Sequence, residues 1–114
     1  ITMNIEKSEF VAIKGASGSG KTTLLSVLGT LLPPDSGSYL LGGTEMISNA
    51  IDHSEVRNKQ IGFVFQDHRL MPQYTALENI LLPTLAGKSK TTPEEIGYAR
   101  QLLELHRISN VANQ

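Results

Sequence analysis

The chain has no cysteine and no tryptophan, and it carries almost no net charge, −1 at pH 7 over 114 residues. The missing thiols exclude a disulfide framework and a thiolate zinc site, while saying little about compartment. The missing charge excess leaves no electrostatic footprint for nucleic acid. Long apolar runs are absent as well: Ile80-Leu81-Leu82 is cut by Pro83, and nothing approaches the roughly 18 apolar residues that suggest a membrane span. No signal-peptide pattern, internal repeat or low-complexity tract is visible, and the lack of Pro/Ser-rich stretches argues against disorder. What remains is 39% apolar composition, enough to support a core in one small domain or in part of a larger one. The chain opens at Ile1 inside a strand-like pattern, so it is expected to be a fragment truncated at its N-terminus.

Against this plain background one segment stands out. Residues 15–22 read Gly15-Ala16-Ser17-Gly18-Ser19-Gly20-Lys21-Thr22, a complete G-x-x-x-x-G-K-[ST] phosphate-binding loop. A chance match in a chain of this length has odds of roughly 1 in 200 or less. Phe10-Val11-Ala12-Ile13 precedes it as an apolar run, and Thr22-Thr23-Leu24-Leu25-Ser26-Val27-Leu28 follows as a helical pattern. The chemistry follows from the residue types. Glycines and small residues let successive N–H groups converge on anionic oxygens, and the helix N-terminus adds unsatisfied donors and a partial positive charge. Lys21 places a mobile cation between the β- and γ-phosphates, the Thr22 hydroxyl suits Mg²⁺, and Thr23 is within reach of the α-phosphate. The loop predicts a nucleotide ligand, held by Gly15, Ala16, Ser17, Gly18, Ser19, Gly20, Lys21, Thr22 and Thr23.

Periodicity organises the rest. Ile1-Thr2-Met3-Asn4-Ile5 alternates as a half-buried strand does, Phe10–Lys14 reads as a strand covered on both faces, and Gln60-Ile61-Gly62-Phe63-Val64-Phe65 as another. Leu24, Leu25, Val27, Leu28 and Leu31 share helical spacing, and the helix must end before Pro33-Pro34. Asp35-Ser36-Gly37-Ser38 is a turn, and Tyr39-Leu40-Leu41 a short strand stopped by Gly42-Gly43. His53 to Arg57 fits either a solvated helix or a loop. Thr75 with Glu78 predicts a capping box at a helix start. Thr92, Pro93 and Glu95 predict a second, with Ile96, Ala99, Leu102, Leu103 and His106 on the inner face of the helix that follows.

The order of these features resembles the ATP-binding domain of ABC transporters: phosphate loop, Pro34-Asp35-Ser36-Gly37, a strand ending Ile61-Gly62-Phe63-Val64-Phe65-Gln66, then a helical segment. Gln66 falls where that family has its Q-loop glutamine. Asp67-His68-Arg69-Leu70-Met71-Pro72 and Thr75-Ala76-Leu77-Glu78-Asn79-Ile80 look most like the lipoprotein-releasing, macrolide-efflux and cell-division branch. The resemblance covers essentially the whole chain. It implies an α/β P-loop NTPase fragment of ABC ATPase type, with parallel core strands, a small antiparallel β part and the start of a helical subdomain, divided as 1–66 and 67–114. It implies ATP and Mg²⁺ as ligands, with Thr22 and Gln66 on the metal, and Gln66 as γ-phosphate sensor. The implied partners are a transmembrane permease and a second ATP-binding domain, at the cytoplasmic face of a membrane without insertion into it and without nucleic acid.

The family's Leu-Ser-Gly-Gly-Gln signature, Walker B aspartate, catalytic glutamate and switch histidine have no counterpart here, and its adenine-stacking aromatic would lie upstream of Ile1. The 114-residue chain is therefore expected to bind nucleotide weakly and not to hydrolyse it, with no catalytic residue of its own. Ser8 stands where the family usually has glycine, a position that tolerates serine with some strain. His53, His68 and His106 match no metal-ligand spacing and read as surface or packing residues. Leu70, Met71 and Tyr74 fit either a permease-facing patch or helical core. Two other function classes stay open on sequence alone: a different P-loop enzyme, such as a kinase or a DNA-repair ATPase, and a non-hydrolysing interaction or folding unit.

Overall fold

In the computed structural model, which describes residues 1–114, the first regular element is helix α1, Lys21–Leu28. It starts directly from Gly20, whose φ of 84° is the left-handed conformation that glycine adopts without steric cost. At its other end Gly29 is the C-cap, and Thr30, at φ 58°, turns the chain left-handed. The Leu31 N–H donates to Ser26 O at 2.8 Å and the Thr30 N–H to Val27 O at 2.9 Å, the paired bonds of a Schellman end. The helix thus stops at Gly29, ahead of the expected limit at Pro33-Pro34. Thr30 is β-branched and strained there. Arg57 holds it from outside, its guanidinium donating to Thr30 O at 2.7 Å and to Thr30 Oγ1 at 3.3 Å.

The chain divides into two compact units, Ile1–Ile61 and Gly62–Gln114. In the first unit, α1 is followed by a hairpin of β1 (Leu40–Leu41) and β2 (Thr44–Glu45), antiparallel with Leu40 opposite Glu45 and Leu41 opposite Thr44. Gly42 and Gly43 form its two-residue loop with φ of 56° and 83°. Positive φ at both central positions is what a twist-matched hairpin requires, and glycine supplies it. The Tyr39 hydroxyl donates to Leu28 O at 2.7 Å, satisfying a carbonyl at the end of α1, and partial burial raises its pKa above the usual phenol value. Helix α2 (His53–Gln60) is capped by Asp52, whose Oδ1 accepts from the N–H groups of Ser54 and Glu55 at 2.9 and 3.2 Å. Met46 and Val56 are this unit's buried apolar side chains.

The second unit is helical. Helix α3 (Ala76–Leu81) runs into a 3₁₀ turn at Leu82–Leu85, and helix α4 (Pro93–Leu105) precedes another at Ser109–Val111. Both predicted capping boxes are present, Thr75 with Glu78 and Thr92 with Glu95. The first α3 amides are also satisfied, Ala76 N–H by Gln114 O and Leu77 N–H by Ala112 O, each at 2.9 Å. Leu77, Leu81, Ala99, Leu103 and Ala112 form the core, with Ile80 and Ile96 packed against it. On α4 the inner face is therefore Ile96, Ala99 and Leu103, while His106, expected on it, is exposed.

Three expected strands are not formed as strands. The sheet consists of β1 and β2 alone, so Ile1–Ile5 and Phe10–Lys14 are irregular, and Gln60 belongs to α2 while residues 61–65 run without a ladder partner. Phe10 is 96% exposed and Val64 fully so. The physical reason is that an alternating or all-apolar run supplies only a strand's side chains; its backbone donors and acceptors need a second strand in register.

Candidate phosphate-binding site

The turn that carries the glycine-rich motif is built from its own backbone. Ser19 N–H donates to Ala16 O at 3.2 Å, and Gly18 and Gly20 both take positive φ, 77° and 84°. This arrangement delivers the chain into α1 with Leu24 N–H as the first helical donor, bonded to Gly20 O at 2.9 Å. The backbone N–H groups of Lys21, Thr22 and Thr23 donate to no protein acceptor, and α1 has neither a side-chain cap nor an acidic residue in its first turn. A helix N-terminus left this way presents free donors and the positive end of the helix dipole.

Lys21 closes the turn from its side. Its Nζ donates to Gly15 O at 2.9 Å and Ala16 O at 2.7 Å, and contacts Ser19 Oγ at 3.4 Å. The ammonium is thus held by neutral carbonyl acceptors, and an anionic oxygen competes with them by adding the attraction of a full opposite charge. Gly15 leaves room for the Ser19 hydroxyl: a Cβ there would stand 2.7 Å from Ser19 Oγ and oblige it to rotate. The Thr22 hydroxyl is exposed and unpartnered, whereas its carbonyl accepts from Ser26 Oγ at 2.8 Å. Three unpaired amides, one ammonium and one free hydroxyl make a donor set suited to a polyphosphate with its Mg²⁺. The nine expected residues, Gly15 to Thr23, are contiguous in this one turn.

Gln66 belongs to the second unit, where it is exposed at a bend. Around it the structure holds features that the sequence left unread. Phe63 and Phe65 stack with ring centroids 5.3 Å apart and 5° between planes, and the Arg69 guanidinium lies 4.9 Å from the Phe65 ring centre. Farther along, Asn79 on α3 reaches back to the loop at 71–75 with four side-chain hydrogen bonds. Leu70, Met71 and Tyr74 are 61%, 45% and 41% exposed, which places them outside the core of α3 and α4. His53 Nε2 is hydrogen-bonded to Met46 O at 2.7 Å, a packing role; His68 is exposed.

Comparison with known proteins gives a consistent result. A family model described as "ABC transporter" matches residues 1–114. The chain is 49% identical over 92 residues to the lipoprotein-releasing system ATP-binding protein LolD of Porphyromonas gingivalis, covering 79% of this chain and 42% of that protein. To the macrolide export ATP-binding/permease protein MacB of Rhodopirellula baltica it is 46% identical over 106 residues, covering 91% of this chain and 16% of that protein. Among solved structures, the ATP-binding cassette MJ0796, a dimer in a post-hydrolysis state bound to ADP and Pi, superposes with a TM-score of 0.85 at 34% identity, over 98% of this chain and 50% of that one. This backbone likeness carries the α/β P-loop fold class. The chain spans about half the length, or less, of the curated relatives it matches.

Proposed function

The chain belongs to the ABC transporter family, and on that premise we propose that residues Gly15 to Thr23 grip the phosphates of ATP in the ATPase part of a transporter. The observation that carries the proposal is the start of α1, with free amides at Lys21, Thr22 and Thr23 beside the Lys21 ammonium. On binding, Lys21 exchanges the carbonyls of Gly15 and Ala16 for phosphate oxygens, and the loop amides take the remaining negative charge. Positioning and charge neutralisation of this kind are most of what phosphoryl transfer asks of a protein. Mg²⁺, when bound, would supply positive charge to offset that of the phosphates. The Thr22 hydroxyl, exposed and unpartnered at the start of α1, is the group in this turn that would hold it.

Gln66 is assigned as a γ-phosphate sensor, the role that its place in the family pattern implies. ATP hydrolysis, powering export through a membrane permease, is assigned to the complete protein, working with a second ATP-binding domain at the cytoplasmic face. None of the residues in this chain is assigned as the base that activates water. The names of relatives support the export reading, since they include lipoprotein-releasing ATP-binding proteins and one protein that joins ATP-binding and permease parts. The exposed side chains of Leu70, Met71 and Tyr74, just beyond Gln66, are assigned to the permease contact, a role their exposure favours over core packing.

Replacing Lys21 tests the reading. A charge-assisted hydrogen bond is worth about 1.5–3 kcal/mol, so Lys21→Ala is expected to weaken MgATP binding roughly 10- to 150-fold. The circular dichroism spectrum should not change, since no helix depends on the Lys21 side chain. Unchanged MgATP affinity by isothermal titration calorimetry would reject the assignment.

A further inference from the structure

The apolar side chains beyond Gln66 sit on an irregular loop, and such a loop ordinarily loses conformational freedom when a partner orders it. Here one side chain has already ordered it. Asn79 Oδ1 accepts from Met71 N–H at 2.8 Å. The two N–H groups of its Nδ2 are shared among Met71 O at 3.1 Å, Tyr74 O at 3.1 Å and Thr75 O at 3.0 Å. Tyr74 N–H closes the turn onto Met71 O at 3.1 Å. The helix that carries Asn79 is itself anchored, because Leu77 and Leu81 on α3 lie in the core and the Thr75–Glu78 capping box fixes its start. The loop backbone is thus tied to the rigid part of its unit through one amide, while Leu70, Met71 and Tyr74 keep their apolar surfaces in solvent.

We propose that Asn79 is a positioning residue that holds Leu70, Met71 and Tyr74 as a preformed apolar docking surface for the permease. The inference rests on the reading of this loop as the permease contact and adds what makes it competent. Asn79 touches neither nucleotide nor permease. It acts by keeping the backbone from 71 to 75 in the conformation in which these side chains are exposed. Asparagine suits the task because its amide offers both an acceptor for the Met71 N–H and donors for the carbonyls. Aspartate has the same size but lacks the donors and would set a carboxylate against three carbonyl oxygens.

The test uses the complete protein with its permease. Asn79→Ala removes the whole network without adding charge, and Asn79→Asp removes its donors while keeping the side-chain volume; Leu70→Ala and Tyr74→Ala, at exposed side chains, keep the proposal testable should an Asn79 variant not fold. In both Asn79 variants, affinity for the permease is expected to fall about tenfold or more while MgATP affinity stays within about twofold. Hydrogen exchange at the Met71 amide is expected to accelerate in Asn79→Ala. Permease affinity unchanged despite faster Met71 exchange would overturn the proposal. So would a parallel loss of permease affinity, MgATP affinity and melting temperature, which marks a general structural role. Leu70→Ala and Tyr74→Ala leave the Asn79 bonds intact and separate the two layers of the argument. If they weaken permease binding and the Asn79 variants do not, the positioning role alone fails. If they have no effect, the permease reading of the loop fails and the proposal with it.

Discussion

A methyl group added at Gly15 would lie 2.7 Å from Ser19 Oγ, 3.5 Å from Ser19 Cβ and 3.9 Å from Lys21 Cδ. Only the first contact is intolerable, and Ser19 can relieve it by rotating its hydroxyl away, which gives up the 3.4 Å contact with Lys21 Nζ. Overpacking costs about 1–3 kcal/mol in general, and the single free rotation here puts Gly15→Ala near the lower end, about 1 kcal/mol. In a Ser19→Ala background the clashing atom is gone and what remains is ordinary van der Waals distance. Gly15→Ala should then cost almost nothing. The double-mutant cycle is expected to return a coupling energy of about 1 kcal/mol, well above the 0.3–0.5 kcal/mol scatter of independent sites. Urea unfolding of the four proteins measures it. A Gly15→Ala cost that is the same in both backgrounds would refute the steric argument. Gly20→Ala is the control: with φ at 84° and open space around it, its cost of about 1–2 kcal/mol comes from backbone strain alone, and Ser19→Ala should leave it unchanged.

Two further outcomes concern strain and charge outside the loop. Ser8 sits at φ 68° in a turn closed by Glu9 N–H on Glu6 O at 3.2 Å, so Ser8→Gly should raise the unfolding free energy by about 0.5–1 kcal/mol in a urea melt, and a destabilised variant would contradict the strain assigned there. The Lys88 ammonium, 2.6 and 2.7 Å from the Glu95 carboxylate, and the Thr92 N–H hold that carboxyl below its ordinary value of 4.5. Because the folded-state value lies under the unfolded one, the stabilisation is complete above about pH 4.5 and is lost as the pH falls through the lowered value. Glu78, lowered by the Thr75 N–H and hydroxyl, acts in the same direction on α3. Far-UV melts from pH 7 into acid should therefore show falling stability that Glu95→Gln flattens in part; an unaltered pH profile in that variant would rule out Glu95 as a contributor.

What could be read from the sequence was whatever is settled by neighbours along the chain. The phosphate loop fixes its own turn through Gly18, Gly20 and Lys21, within four residues of one another, and both capping boxes close over three. The hairpin at Leu40–Glu45 is half visible: Gly42-Gly43 marks the end of a strand, and two glycines between short apolar and β-branched stretches are also a hairpin loop. The polar residues of helix α2 fit helix or loop alike, yet Asp52 ahead of Glu55 is a readable cap. Non-local requirements stayed hidden. Ile1–Ile5, Phe10–Lys14 and residues 61–65 have the composition of strands, but a ladder needs a partner that the pattern does not supply. The Asn79 bonds reach back eight residues to a loop, and no periodicity announces them. Arg57 on Thr30 bridges a still longer separation.

Calorimetric titration of the protein with ATP, ADP and adenosine in the presence of Mg²⁺ separates recognition of phosphate by the turn at Gly15–Thr23 from recognition of the nucleoside. ATP and ADP should bind through this turn, adenosine should show no comparable affinity, and Lys21→Ala should remove most of the difference. Adenosine binding as tightly as ADP, or ADP affinity untouched by Lys21→Ala, would contradict phosphate recognition by this turn.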